Sequence, residues 1–293
     1  MAENENIKIY QHTVNKEIKL QGKGVHSGKD VTLKILPGEP NSGIQFFRTD
    51  LPGHTGIKAI FKNVTDTSLA TVIGNGDIIV STIEHLMSAF SAMGIDNARV
   101  MIDNYELPIM DGSSYEFARE IMNSGLKPQN FPRHYIVIKK NVELNEEGKF
   151  VGAYPDNSFR ISCKIDFSNQ VIGFQSFSIK ITPENFLTHI SKARTFGFMS
   201  DVQTMNMLGL GRGGSLETAV VVDKNKILNP GGLRYPDEFV RHKMLDCIGD
   251  FALIGMPLLG HIKTFKSGHE FHRKFLDLLF LEKDAWETKT FLP

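Results

Sequence analysis

The sequence predicts an α+β protein of two domains, and three observations carry that expectation. The chain of 293 residues exceeds the usual size of a single domain. Within each half, strand-like segments run ahead of helical ones and do not alternate with them one for one, which favours α+β over a βαβ array. Between the halves lies "LKPQNFPRH", with Pro128 and Pro132 four apart, and a boundary is expected there: residues 1–128 form one domain and 129–293 the other.

In the first half, "VTLKILPG" alternates apolar and polar positions and stops at a Pro-Gly turn, the pattern of a half-buried strand. "GDIIVSTIEHLMSAFSAMG" changes period midway. "IIV" is a strand; from Ser81 onward Ile83, Leu86, Met87, Phe90 and Met93 follow helical spacing, and Gly94 ends the helix. "NARVMID" is a strand and "SSYEFAREIMNSG" a second helix closing at Gly125. The second half repeats the habit. Strands are expected at "YIVIKK", "FRISCKIDF" and "SFSIKI", followed by a helix, a strand at "TAVVVD", a helix through "EFVRHKMLDCIGD" and a last helix over "EFHRKFLDLLFLEKDAW".

Composition narrows the function classes. Lysine plus arginine balance aspartate plus glutamate at 33 each, so no global field points to nucleic acid or an anionic membrane. Cys163 and Cys247 are too few for a disulfide framework, which suits a reducing cytoplasm. The polar start "MAENENIKIYQHTVNKEIKL" lacks an apolar stretch of the kind signal peptides carry. The longest apolar run, "FALIGMPLLG", is short and broken by Gly255 and Pro257, so no spanning helix is expected.

Four motifs carry possible chemistry. "GLGRGGSL" fits G-x-G-x-x-G through Gly209, Gly211 and Gly214, but a helical segment precedes it and a strand follows, the reverse of a dinucleotide fingerprint; a closely packed glycine loop fits better. In "GHEFHRKF", His269 and His272 are three apart, not the four of H-E-x-x-H, and Glu270 suits the first turn of a helix. In "STIEHL", Ser81 and Glu84 have capping-box spacing, while Glu84 beside His85 also suits a general base next to a metal ligand. Finally, His242, Asp246 and Asp250 stand four apart in "EFVRHKMLDCIGD", on one helical face. That row reads as a solvated edge, a hydrogen-bonded strut or half of a metal site. His85, His242 and Asp246 would make three ligands of a kind suited to zinc without excluding iron or cobalt, and spacing alone does not bring them together.

"STIEHLMSAF", "LPIMDGSS", "ARTFGFM", "EFVRHKMLDCIGD" and "KSGHEFHRKF", in this order, resemble the UDP-3-O-acyl-N-acetylglucosamine deacetylases of lipid A biosynthesis. The likeness runs from "GKGVHSG" near residue 22 to "DAWE" near the end, and the pairing of "TIEHL" with "RHKMLDCIGD" is its most specific part. The resemblance implies two similar domains, each a β-sheet with two helices packed on it, the four helices lying between the sheets and the site at the junction. It puts one Zn2+ on His85, His242 and Asp246. It makes Glu84 the base, His269 the catalytic histidine, Asp250 the carboxylate that orients His269, and Thr195 an active-site hydroxyl beside Phe196. Lys243 contacts substrate, and Phe167 is a further candidate for the nucleotide or sugar. An insert around residues 197–222 would form an acyl-chain passage, with Gly213, Gly214, Ser215 and Ala219 leaving room and Val202 and Val221 on its walls; ordinary core packing competes for each.

The implied reaction is zinc-dependent removal of the N-acetyl group from UDP-3-O-(3-hydroxyacyl)-N-acetylglucosamine, with release of acetate. The implied enzyme is a cytoplasmic monomer, free to meet the inner membrane surface transiently, with a UDP-linked acylated amino sugar as its partner. A zinc amidohydrolase acting on another N-acetylated substrate is the alternative. A binding protein with structural zinc is disfavoured, because closed sites usually include cysteine and neither cysteine here belongs to a CxxC pair.

Overall fold

The structure is a computed structural model that describes residues 7–53, 56–207 and 209–291. In chain order the first half comprises β1 (Tyr10–Val14), β2 (Ile18–Lys23), β3 (Asp30–Pro37), β4 (Ile44–Arg48), β5 (Ile57–Lys58), β6 (Val64–Asp66), β7 (Val72–Asn75), β8 (Ile78–Val80), α1 (Glu84–Met93), β9 (Ala98–Ile102), α2 (Tyr115–Ser124) and β10 (Leu126–Pro132). The second half comprises β11 (His134–Ile138), β12 (Val142–Glu146), β13 (Lys149–Tyr154), β14 (Phe159–Asp166), β15 (Phe174–Lys180), α3 (Pro183–His189), β16 (Phe196–Phe198), α4 (Met199–Met207), β17 (Val220–Asp223), β18 (Lys226–Ile227), α5 (Glu238–Ala252), β19 (Leu258–Phe265), α6 (His269–Leu281) and β20 (Trp286–Thr290).

The halves repeat one plan. In the first, β9 pairs antiparallel with β3 and parallel with β4, and β3 continues to β2. In the second, β19 pairs antiparallel with β13 and parallel with β14, and β13 continues to β12. Each central strand is entered from a helix and left towards another: α1 and α2 flank β9, while α5 and α6 flank β19. A parallel pair needs such a crossover, because a hairpin cannot join parallel strands. The helices fill the layer between the sheets. α5 lies on β14 and β15, α6 on β12 and β13, and α2 on β2, while α1 meets both α2 and α5. One apolar core runs through both halves, from Leu33, Phe46 and Val100 to Phe251, Ile262 and Phe275.

α1 is buried on every face except at Ser91, consistent with a helix that is apolar almost all round. Gly94 ends it at a left-handed φ of 79°, a conformation with no Cβ penalty for glycine. The start differs from expectation. The helix begins at Glu84, and the Ser81–Glu84 capping box does not form. Ser81 is drawn instead into a bridge with Glu106, and Thr82 takes a positive φ of 61°. That turn frees the Glu84 carboxylate from capping duty.

Two other segments depart from their sequence expectation. "LKPQNFP", expected only as a boundary, is a strand, β10, paired antiparallel with β1. Its prolines are tolerated because β1 is its only partner among the described residues, so missing N–H groups cost little on the open edge. The last helix stops at Leu281, and Trp286–Thr290 becomes a strand along β11, where the aromatic and β-branched residues gain a sheet edge. α3 and α4 are additional short helices outside the central pairs.

The α1–α5 contact is unusually close. A Cβ on Gly249 would lie 2.1 Å from the Glu84 carbonyl oxygen, a backbone atom that cannot swing aside. Gly249→Ala is therefore expected to lower stability by about 1–3 kcal/mol, read as a lower denaturation midpoint, with a loss of activity larger than the stability change alone explains.

Candidate metal centre and its flanking groups

Because α1 starts where it meets α5, the first two residues of one helix face the polar row of the other. His85, His242 and Asp246 are buried, and one ligand atom from each lies within 4.8 Å of the others. His242 Nε2 is 3.3 Å and His85 Nε2 3.8 Å from Asp246 Oδ1, and the two imidazoles stand edge to face at 87°. His242 Nδ1–H donates to the Ala193 carbonyl at 3.1 Å, which leaves the Nε2 lone pair turned to Asp246.

The electrostatics suit a cation. Burial, reinforced by His242, lowers the His85 pKa to about 3, and burial also lowers that of His242, so both rings are neutral with free lone pairs. Burial opposes charge on Asp246, yet His242, Lys243, His269 and His85 together hold it well below the usual carboxylate range. His85 Nδ1 is a buried nitrogen with no protein partner among the described residues. Two neutral imidazoles and one carboxylate are a fitting donor set for a divalent ion such as zinc, and they leave room for further ligands.

Glu84 and His269 flank this cluster. The Glu84 pKa is raised to about 7, mainly by burial, with His269 opposing and Asp246 and Asp250 adding to the rise. Glu84 Oε1 lies 3.9 Å from His269 Nε2. On its other edge, His269 Nδ1–H donates to Asp250 Oδ2 at 2.8 Å. Burial alone would make His269 less basic. The Asp250 ion pair and hydrogen bond, with Glu84 and Asp246, outweigh it and raise the pKa to about 10. Asp250 is correspondingly held below the usual range, its burial being outweighed by His269 and His272.

The "RTF" segment is fixed on the start of α5 by a buried ion pair. Glu238 accepts from Arg194 Nε and Arg194 N at 2.9 Å each, and from Arg234 N at 2.6 Å. Thr195 follows, its N–H donating to Gly112 O at 2.8 Å. Phe196 packs edge-on to Phe239 and Phe167, and Lys243 Nζ sits 5.6 Å above its ring while donating to Asp246 Oδ2 at 3.0 Å.

A cavity of about 650 Å³ opens from Glu84 and His85. Thr195, Phe196, Val202, Gly214, Ser215, Ala219 and Val221 all line it. Gly213 does not; its Cα backs onto Gly24, where an added Cβ would meet the Gly24 oxygen at 2.2 Å. Sequence reasoning missed further lining residues, Val25, His26, Leu69, Ala70 and Ile109. Buried Glu106 holds the backbone at His26 by accepting from His26 N and Ser27 N at 2.8 Å each. A second cavity of about 570 Å³ adjoins Lys243 and His269 and is edged by Lys149, Lys266 and Lys274. Phe167 lines neither cavity; it backs Phe196 and Phe198.

Two polar partners of Asp250 were not assigned that role from the sequence. Thr71 hydroxyl donates to Asp250 Oδ1 at 2.6 Å, and His272 Nδ1–H donates to Asp250 Oδ2 at 2.7 Å. The His269/His272 spacing that ruled out a zincin motif was itself the signal, since residues three apart share a helix face. Thr71 gave no sequence signal. Glu270 takes its expected place in the first turn of α6.

Comparison with known proteins agrees across the chain. The family model described as LpxC, UDP-3-O-acyl N-acetylglycosamine deacetylase, matches residues 11–281. A UDP-3-O-acyl-N-acetylglucosamine deacetylase of Myxococcus xanthus is 48% identical over 277 residues, covering 94% of this chain and 88% of that protein. The protein of that name from Teredinibacter turnerae is 45% identical over 285 residues, 97% of this chain and 94% of its own length. The one from Campylobacter jejuni is 44% identical over 277 residues, 94% of each. With the family match covering nearly all of the described fold and the site at its centre, the chain belongs to the UDP-3-O-acyl-N-acetylglucosamine deacetylase family.

Proposed function

We infer that this protein hydrolyses the N-acetyl group of UDP-3-O-(3-hydroxyacyl)-N-acetylglucosamine, giving the free amine and acetate, in lipid A biosynthesis. The observation that carries the reading is the meeting of His85, His242 and Asp246 with Glu84 and His269, where Glu84 and His85 line one largely apolar cavity and His269 a second, lysine-edged one. We take the metal to be one Zn2+ per chain, held by His85, His242 and Asp246; when bound it polarises the amide carbonyl and makes water more acidic.

The protein's own groups do the rest. Glu84, with a pKa near the working pH, takes the proton of the attacking water. His269, charged through the neutral range, faces the developing oxyanion with Nε2–H and then gives that proton to the leaving amine. Asp250 holds His269 charged and oriented through Nδ1. The Thr195 hydroxyl adds a donor for the oxyanion, a contribution of about 3–4 kcal/mol where such donors are well aimed. Lys243 neutralises Asp246 and presents its ammonium to the sugar, with Phe196 and Phe167 packed behind it. The acyl chain occupies the cavity past Val202, Gly214, Ser215, Ala219 and Val221, and the lysine-edged cavity beside Lys243 suits the diphosphate. In this reading residues 1–128 bring Glu84 and His85, and 129–293 bring the remainder. No helix among the described residues is long and apolar enough to cross a membrane. We take the protein to be a cytoplasmic monomer that meets its substrate at the inner membrane.

Glu84→Gln is expected to retain metal and lose about 10²- to 10⁴-fold in kcat, whereas His242→Ala loses metal and activity together; metal analysis beside an acetate-release assay separates them. Asp250→Asn removes the interaction that outweighs burial at His269, so the imidazolium deprotonates at lower pH and the basic limb of the pH–rate profile, set near pH 10, moves downward. A limb that stays in place would remove Asp250 from this role. UDP-N-acetylglucosamine lacking the acyl chain should react with kcat/KM at least ~100-fold lower, since several buried methylenes are lost; equal rates would favour an amidohydrolase for another N-acetylated substrate.

A further inference from the structure

Thr71, at the entry to β7, touches three helices at once. Its N–H donates to Glu84 Oε2 on α1 at 3.1 Å, its hydroxyl donates to Asp250 Oδ1 on α5 at 2.6 Å, and its Oγ1 lies 3.2 Å from His269 Nδ1 on α6. The residue is buried, and no other donor reaches Asp250 Oδ1 among the described residues.

Donor accounting fixes the arrangement. The hydroxyl has one hydrogen, and at 2.6 Å from a carboxylate that hydrogen belongs to Asp250. Thr71 Oγ1 therefore faces His269 with a lone pair. Both neighbours of His269 Nδ1, Thr71 Oγ1 and Asp250 Oδ2, are then acceptors, so Nδ1 must carry hydrogen. Nε2 is the nitrogen left facing Glu84 Oε1. Asp250 Oδ2 is shared between His269 and His272. Without a donor on Oδ1, the carboxylate would be free to turn and divide its oxygens between the two rings.

We propose that Thr71 is a positioning residue. Its hydroxyl locks the rotation of Asp250, so that one oxygen serves His269, and its backbone N–H turns Glu84 Oε1 towards the reacting space. The proposal rests on the reading of Glu84 and His269 as the proton-transfer groups.

The test compares Thr71→Val, which has nearly the same shape and keeps the backbone N–H, with Thr71→Ser, which keeps the hydroxyl, and uses Glu84→Gln as the control. Each purified zinc-loaded variant is assayed for kcat, KM, metal content and melting temperature. Thr71→Val is expected to lower kcat about tenfold or more, with KM within about twofold and metal content unchanged, and Thr71→Ser to recover most of the loss. Wild-type kcat in Thr71→Val overturns the proposal. Equal losses in both variants also overturn it, because shape and not the hydroxyl would then matter. Full turnover in Glu84→Gln removes the underlying reading as well; an inactive Glu84→Gln beside a fully active Thr71→Val removes only the role of Thr71.

Discussion

Everything at the site depends on how closely two helices approach. α1 touches α5 at the one position where α5 has no side chain, and the Glu84 carbonyl occupies the space a Cβ would need. A wider approach would carry Glu84 and His85 away from His242, Asp246 and Asp250. The contact also explains why an α-helix nearly apolar on all faces starts with two polar residues: Glu84 and His85, in its first turn, lie against the polar row of α5.

Crowding polar groups into that junction is costly unless they answer one another. Here they do so in two sets. His85 and His242 remain neutral, Asp246 remains anionic, and Lys243 reaches over to balance it. Asp250 takes the opposite approach and keeps a neighbouring imidazole charged, with Thr71 and His272 filling its other acceptor positions. The row of residues four apart on α5 thus serves two electrostatic purposes one turn apart. Asp246 sits among neutral imidazoles, and Asp250 among donors.

Much of this was legible in the sequence because it lies in periodic segments. The helical face of His242, Asp246 and Asp250, the stops at Gly94 and Gly125, and the strand-before-helix order of each half are local patterns, and the structure follows them. What the sequence concealed is non-local. Thr71 is an isolated threonine in a strand-like stretch, and its meaning lies in a contact with residues far along the chain. Of the two readings open at Ser81 and Glu84, the capping box does not form, and the buried carboxylate accepts instead from Thr71 N–H, a donor the local spacing could not show. At "LKPQNFP" the prolines marked a boundary but gave no sign of a strand, and only the position of β1 shows why a proline-bearing strand is tolerated.

That last pairing bears on how the chain is made. β1 emerges early from the ribosome, but its partner β10 follows only after the whole first-half sheet and both of its helices. At roughly 5–20 residues per second, β1 waits several seconds with its edge unsatisfied. An exposed strand edge is a template for wrong pairing, either with another nascent chain or with an earlier strand of its own. The eventual partner is poorly suited to such errors, since Pro128 and Pro132 remove two of the donors a second strand would use. The two-stranded sheet therefore acts as a late clasp on the first half, and its prolines limit what that clasp can close upon.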